Sequence, residues 1–542
     1  MTRSTTWMLI VLLCTAGVAC SSLPPAPRQG ADTSNTPKFG GTLNLRVASD
    51  PFDWDSSYQG KTTPNLDGIA LAYESLVTFK AGPDVKFEEM VIEPELAERW
   101  DVSPDAKSFT FHLRHGVKFA NVPPVQGREL TSADVKWSFE YWARVGEFTS
   151  LPPAQYDFMF QGLEGIDTPD PYTVTVRFKQ PYIPFLTYVG TDRVPIVPHE
   201  IYDQDGHLKN RIIGTGPWQL DESASQKGSR WVWKKNPTYW GAPGPYIDEV
   251  RWIVIPDDAS AITAFKTKQV DWLDRTALSK QTVDELIKGY PDGVVYQFAQ
   301  SGAYHIHWNT QKAPLNDPRI RRAINLGMNR DELSELDGER AVPALAGAHK
   351  GVFTDDELRQ LVRYDPDEAR RLVNEVNPNG VELLWDFPGS VYGQQYISRI
   401  QLIQAQLKKV GINVTLKSVD NAEFSANRKA KNFMINLAAT DCGDDFDHDS
   451  MVYACYQSKA KNNYAGINEP ELDALLEAQR REVDPAQRVQ IIRSIAKFID
   501  DRALSMDLYF PVRYEAWQPW LKNFAPHRGR DGTPLVNAWI SR

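Results

Sequence analysis

Phe109-Thr-Phe-His-Leu-Arg-His-Gly-Val-Lys-Phe119, followed by Leu130-Thr-Ser-Ala-Asp-Val135, is the stretch from which the fold is read. Phe109, Phe111 and Leu113 alternate with Thr110, His112 and Arg114, the two-residue period of a half-buried strand. His115-Gly116 ends that strand as a turn. Thr131 and Asp134 stand at capping-box spacing and open a helix through Val135, Phe139 and Trp142. Strand, turn and capped helix in succession make a mixed unit. Its residue types suit core packing and capping rather than ligand contact.

The same alternation of elements continues on both sides. Gly41 to Val47 reads as a first strand, Tyr172 to Phe178 as another, and Trp231 to Trp233 and Val250 to Ile255 as two more. Gly214-Thr-Gly-Pro217 is a turn before a short strand. Helices are expected at Ala259 to Thr267, at Pro318 to Met328 behind Asn316-Asp317, from Asp365 through Val373, at Gln394 to Val410, at Glu469 to Arg480 and at Pro485 to Ile499. Val381 to Trp385 and Ile412 to Leu416 are strands. The class is α/β, with no repeat of 20–50 residues.

The chain has 542 residues, too many for one core, so two or three domains are expected. Apolar residues make up 42% and charged residues 24%, the balance of a globular protein. The net charge of −10 argues against a nucleic-acid partner. Arg3, an uncharged run from Trp7 to Ala19 and then Cys20 read as a lipoprotein signal peptide, residues 1–19. Gly17-Val-Ala-Cys20 resembles a lipobox, with Gly17 where Leu is usual. The mature chain is expected to begin at a lipidated Cys20, anchored to the periplasmic or outer face of the membrane without spanning it. Residues 20–38 are rich in Ser, Pro, Ala and Thr and form a flexible tether reaching roughly 20–25 Å. Apart from Cys20, the exported chain keeps Cys442 and Cys455, a pair expected to bridge.

From residue 93 onward the landmarks fall in a recognisable order. Glu95-Leu-Ala-Glu-Arg-Trp100, the opening block, Gly214-Thr-Gly-Pro-Trp218, Asn236-Pro-Thr-Tyr-Trp-Gly241, Tyr246-Ile-Asp-Glu-Val250, and Ala313-Pro-Leu-Asn-Asp-Pro-Arg-Ile-Arg-Arg-Ala-Ile-Asn325 resemble the family 5 extracellular solute-binding proteins of ABC importers, the dipeptide and oligopeptide type. The resemblance implies a two-lobed clamshell of the type II periplasmic-binding-protein class. Lobe I would hold residues 39–85, 201–308 and 509–542, with a subdomain at 86–200, and lobe II residues 309–508. Ligand would be enclosed by hinge closure.

Asp441-Cys-Gly-Asp-Asp-Phe-Asp447 follows the apolar run Phe433 to Ala439, so its carboxylates stand at a strand's C-terminal end. Peptide binders of the family carry a short acidic run here, one Asp of which holds the ligand's α-ammonium. The resemblance gives that place to Asp441, with Asp444 next. Asp445-x-Asp447-x-Asp449 imitates the start of an EF-hand loop, but Ser450 and Tyr456 occupy the positions of its Gly and Glu. Dipeptide binders place an Arg after the strand matching Val381–Trp385. Here the loop Asp386 to Gly393 has no basic residue, which turns the expectation towards longer peptides or a ligand without a free carboxylate. Trp54, Tyr304, Trp308 and Trp385 are candidate aromatic walls of the cleft, with core packing the competing use of each Trp. His305-x-His307 is a weak candidate for holding a metal complex.

The function expected is capture of peptide-like solutes and delivery to ABC permease subunits with cytoplasmic ATPases, by a monomer without cofactor. An oligosaccharide or metal-chelate ligand is the alternative, and a secreted hydrolase a distant one. No G-x-S-x-G or H-E-x-x-H occurs. Gly60-Lys-Thr62 fails as a phosphate loop because Asp55 stands where its first Gly must be.

Overall fold

A computed structural model describes residues 36–57, 63–87, 89–274, 278–388, 393–438, 447–460, 462–528 and 533–542. The signal peptide, Cys20, most of the tether, Asp441, Cys442 and Asp444 lie outside the described residues. Among these residues no helix is long and apolar enough to cross a membrane.

The first strand is Thr42–Val47, with Leu43, Leu45 and Val47 buried. It lies in a seven-stranded sheet, parallel to Glu249–Val254 on one side and to Trp272–Leu273 on the other. Arg230–Lys235 and then Trp218–Leu220 extend the sheet beyond Glu249–Val254. At the other end Val512–Trp517 sits between Trp272–Leu273 and Val294–Ala299, antiparallel to both. The C-terminal part of the chain thus completes a sheet begun at Thr42.

The opening block of the sequence forms a second, four-stranded antiparallel sheet. Its order is Ala97–Val102, Ser108–Leu113, Thr173–Phe178, Leu163–Asp170. Phe109, Phe111 and Leu113 point inward with Val174, Val176 and Phe178, and each such side chain contributes about 1.5–3 kcal/mol by burial. Val135, Phe139 and Trp142 of the helix Ser132–Ala143 belong to the same core. The Thr131–Asp134 capping box is present, and Arg128 grips Asp134 through two nitrogens while also pairing with Glu200. Ala97–Val102 was not anticipated as a strand. It lies at an edge with most of its side chains exposed, so it carries no clean alternation.

The Gly214-Thr-Gly-Pro217 landmark is a close approach of two backbones. Gly216 N–H donates to Ala72 O at 2.8 Å. A Cβ at Gly214 would stand 2.0 Å from that same oxygen, and one at Gly216 2.6 Å from it, so only glycine fits at either position.

The chain passes from Val294–Ala299 to His305–Trp308 through residues 300–304 and returns from Met506–Asp507 to Val512–Trp517 through residues 508–511. His305–Trp308 pairs antiparallel with Met506–Asp507 and with Ile435–Ala438. Val381–Pro388 and Ile412–Val419 are parallel neighbours, joined by the helix Gly393–Lys409, the crossover that parallel strands require. Trp308, Trp385, Ile400, Ile403, Leu407 and Ile435 share a core distinct from that of the first sheet. The architecture is two lobes of α/β structure linked by paired crossover strands.

Candidate functional site

The strands Val381–Pro388 and Ile435–Ala438 end at one edge of the second lobe. Tyr396, in the helix that follows the first of them, donates its hydroxyl hydrogen bond to Leu437 O of the second at 3.3 Å. His305 lies opposite Ala438 in register, so the crossover adjoins this edge. The described chain resumes at Asp447.

From Asp447 onward the acidic run turns inward. Asp447 caps the helix His448–Tyr456 and accepts a hydrogen bond from Arg488 at 2.9 Å. Burial works to raise its pKa, but the guanidinium outweighs it and holds the carboxyl at about 2. Asp449 is fully buried and bound by Arg480 and Gln479. These two carboxylates are committed to arginines. Among the described residues no group of three or more His, Cys, Asp or Glu is placed to hold a metal.

The first lobe meets the second beside this helix. Tyr188 donates to Asp449 at 3.0 Å, Arg480 donates to Gln161 at 2.7 Å, and Ile183 N–H donates to Arg480 O at 3.0 Å. A second contact joins Arg528, which donates to His349 Nδ1 at 3.3 Å. The His349 ring lies 4.4 Å from that of His448. Burial pushes both imidazoles down, His349 well below its ordinary value and His448 to about 3, so both are neutral near pH 7.

The aromatic candidates divide. Trp54 is buried edge-on against Trp231 and Trp233 at 6.0 and 5.6 Å, and a Cβ at Gly68 would stand 2.4 Å from its ring. Its faces are taken up by the first lobe's core. Trp308 is fully buried and donates its indole N–H to Ala503 O at 3.0 Å. Trp385 is fully buried too, but its indole nitrogen and the neighbouring Asp386 Oδ1 have no hydrogen-bond partner among the described residues. The two are successive residues of one strand, so their side chains turn to opposite faces and each atom calls for its own polar partner. Tyr304 is half-buried at the crossover, edge-on to Tyr509 at 5.3 Å, with the Arg399 guanidinium 4.0 Å over its ring. Arg399 also donates to Tyr509 Oη at 3.0 Å and to Asp337 at 2.6 Å. Of the four aromatics, Tyr304 alone keeps exposed surface near the junction.

His305 and His307 are not a chelating pair. His305 binds Asp507 through Nδ1, and its Nε2 lies 3.2 Å from His307 Nδ1 and 3.4 Å from Tyr456 Oη. Both ring nitrogens of His305 are therefore engaged. Sequence reading missed Tyr188, Arg480, Arg399 and Arg528, because each acts on a partner far away in the chain. Cys455, buried on the helix after the acidic run, is disulfide-bonded to a partner outside the described residues.

A family model described as Bacterial extracellular solute-binding proteins, family 5 Middle, matches residues 91–463. Di/tripeptide-binding protein 2 of Pseudomonas aeruginosa (strain UCBPP-PA14) is 27% identical over 478 residues, covering 84% of this chain and 86% of the relative. The Dipeptide-binding protein of Escherichia coli (strain K12) is 25% identical over 488 residues, covering 84% and 87%. Among solved structures, the ABC transporter-associated periplasmic binding protein DppA from Helicobacter pylori, in complex with peptide STSA, matches with a TM-score of 0.76 at 23% identity. That match covers 93% of this chain and 99% of the other, and the likeness is one of fold.

Proposed function

The chain belongs to the family 5 bacterial extracellular solute-binding proteins, and from that premise we propose that it captures peptide-like solutes between its lobes and delivers them to an ABC permease powered by cytoplasmic ATPases. The observation that carries this reading is the edge where Pro388 and Ala438 end beside the crossover, with the first lobe's Tyr188 seated on the helix just beyond. A solute held there touches both lobes, and the free energy of those contacts drives closure. Asp441 is the proposed acceptor for a ligand ammonium, Asp444 a second, and Tyr304 an aromatic contact. The names of the two curated relatives support a peptide ligand. The missing base after Val381–Pro388 favours peptides longer than two residues.

In the same reading the chain is a receptor, not an enzyme, works as a monomer without cofactor, and is tethered through lipid on Cys20. Cys442 is the proposed partner of Cys455; closing that loop would stabilise by about 3 kcal/mol. The boundaries 39–85, 201–308 and 509–542 for lobe I, 86–200 for its subdomain and 309–508 for lobe II belong to the proposal. Two separate apolar cores support the division into two lobes; His305–Trp308 packs with the second lobe's core, and residues 86–200 share one core with the rest of lobe I.

The test is mass spectrometry of solutes that co-purify with the protein, followed by thermal unfolding with the peptides found. A receptor gains about 2.7 kcal/mol at a ligand concentration a hundredfold above Kd and returns the peptide intact. Hydrolysed peptide, or no stabilisation by any peptide, would overturn the proposal.

A further inference from the structure

A cavity of about 110 Å³ opens on the second lobe, and its lining includes Arg330, Asp331, Arg340, Arg359, Arg363 and Tyr364. Four arginines and one aspartate line one small space. Arg340 and Arg359 both lean on Asp331, and Arg363 turns to Asp365 at 2.8 Å. Within this cluster the four guanidinium groups outnumber the two carboxylates that pair with them by two surplus charges, and Arg330 makes no ion pair within 4 Å among the described residues.

Arg330 is the buried arginine of the wall. It is 7% exposed, and the hydrogen bonds it makes go to carbonyls: Nε to Asp507 O at 3.0 Å and Nη1 to Asn325 O at 3.3 Å. Carbonyls orient a guanidinium but do not neutralise it. Burial accordingly lowers its pKa to about 10, against only a weak pull from Asp500 and Asp507. A buried cation is costly unless an anion accompanies it. Of the two carboxylates that act on it, Asp500 is paired with Arg322 and Asp507 with His305.

We propose that this cavity is a binding site for a phosphate group. Planar guanidinium forks match the oxygen spacing of phosphate and bind it two oxygens at a time. The two surplus charges match a phosphate dianion better than a carboxylate. The volume is ample for one such group, since a water needs only about 10–15 Å³ by the same measure. Inorganic phosphate and a phospholipid head both present such a group; the chemistry of recognition is shared. Because Arg330 also holds Asp507 O, the site lies directly behind the returning crossover strand.

The experiment uses the full exported chain with Cys20→Ser, so that no lipid of its own carries it onto vesicles. Inorganic phosphate is titrated against chloride at matched ionic strength and followed by phosphorus NMR line width and by Tm. Flotation with vesicles of phosphatidic acid in phosphatidylcholine, against phosphatidylcholine alone, forms the second arm. Arg359→Gln with Arg363→Gln is the test variant; both side chains are partly exposed, at 38% and 58%. Its unliganded Tm and its peptide binding should match the parent. Phosphate binding that weakens roughly tenfold or more in the variant supports the site with free phosphate as the source. Flotation lost in the variant supports the lipid source. Phosphate acting no differently from chloride with no flotation on phosphatidic acid, or binding unaltered in the variant, overturns the proposal.

Discussion

Asp449 and Arg480 form a bidentate pair in the protein interior, with Nε to Oδ1 at 2.6 Å and Nη2 to Oδ2 at 2.7 Å. Asp449 has no exposed surface, and the guanidinium lies 3.2 Å over the ring of Tyr453. Both residues sit on second-lobe helices, yet the pair is completed by the first lobe, through Tyr188 on the carboxylate and Gln161 on the guanidinium. It is a clasp with its metalwork on one jaw and its catch on the other.

Arg480→Met leaves Asp449 buried without its cation. Removing one partner of a buried pair costs about 3–5 kcal/mol. The midpoint of urea unfolding should fall accordingly, and an unchanged midpoint would show the pair to be energetically idle.

Tyr188→Phe touches only the catch. Asp449 keeps Arg480 and Gln479, so folding should survive. One charge-assisted hydrogen bond favouring the closed form is lost, about 1.5 kcal/mol, or roughly tenfold in apparent ligand affinity. X-ray scattering should show a larger radius of gyration without ligand. Parent-like scattering and affinity together would remove Tyr188 from the closure equilibrium.

Gly214→Ala forces a methyl group to 2.0 Å from Ala72 O, an oxygen that also accepts from Gly216 N–H. A backbone atom cannot step aside as a side chain can. Overpacking typically costs about 1–3 kcal/mol, and the upper end or beyond is expected here. Calorimetric Tm checks it; a shift under one degree would contradict the geometry.

Three buried imidazoles, His307, His349 and His448, have pKa values lowered chiefly by burial. In the unfolded chain each titrates near 6.5. Below that pH the unfolded state binds protons that the folded state refuses, so stability falls as pH falls, from about 6.5 down towards the folded values. Between pH 6.5 and 5.5 the loss is about 1 kcal/mol per histidine, roughly 3 kcal/mol together. Urea midpoints at the two pH values measure it. Equal midpoints would mean that the imidazoles take up protons in the folded chain.

Asp441→Ala tests the proposed ammonium contact. A tenfold or greater loss of peptide affinity is expected, with Tm unaltered in the absence of peptide. N-acetylated peptide should bind parent and variant alike. Full retention of affinity for free peptide would move the ammonium site elsewhere.

Local signals in the sequence carried the architecture. The alternation through Phe109 to Leu113 and the Thr131–Asp134 spacing predict the strand and capped helix that form, because both depend on neighbours a few residues apart. The site was harder to read. Asp447 and Asp449 look like part of a solvated acidic loop until Arg488 and Arg480, 41 and 31 residues downstream, fold back onto them. Trp54 and Tyr304 carry equally suitable rings; only the tertiary packing commits one to Trp231 and Trp233 and leaves the other half-exposed under Arg399. Sequence spacing contains neither fact.

Val512–Trp517 is a filler strand, bonded on both sides within the first lobe's sheet. During synthesis, with the N-terminus made first, that sheet begins with Thr42 but holds an empty slot until almost the entire chain has emerged. Its flanking strands, Trp272–Leu273 and Val294–Ala299, wait with unpaired backbone groups while the second lobe is made. Such waiting edges invite wrong pairing, so the chain's most vulnerable moment falls late in its synthesis.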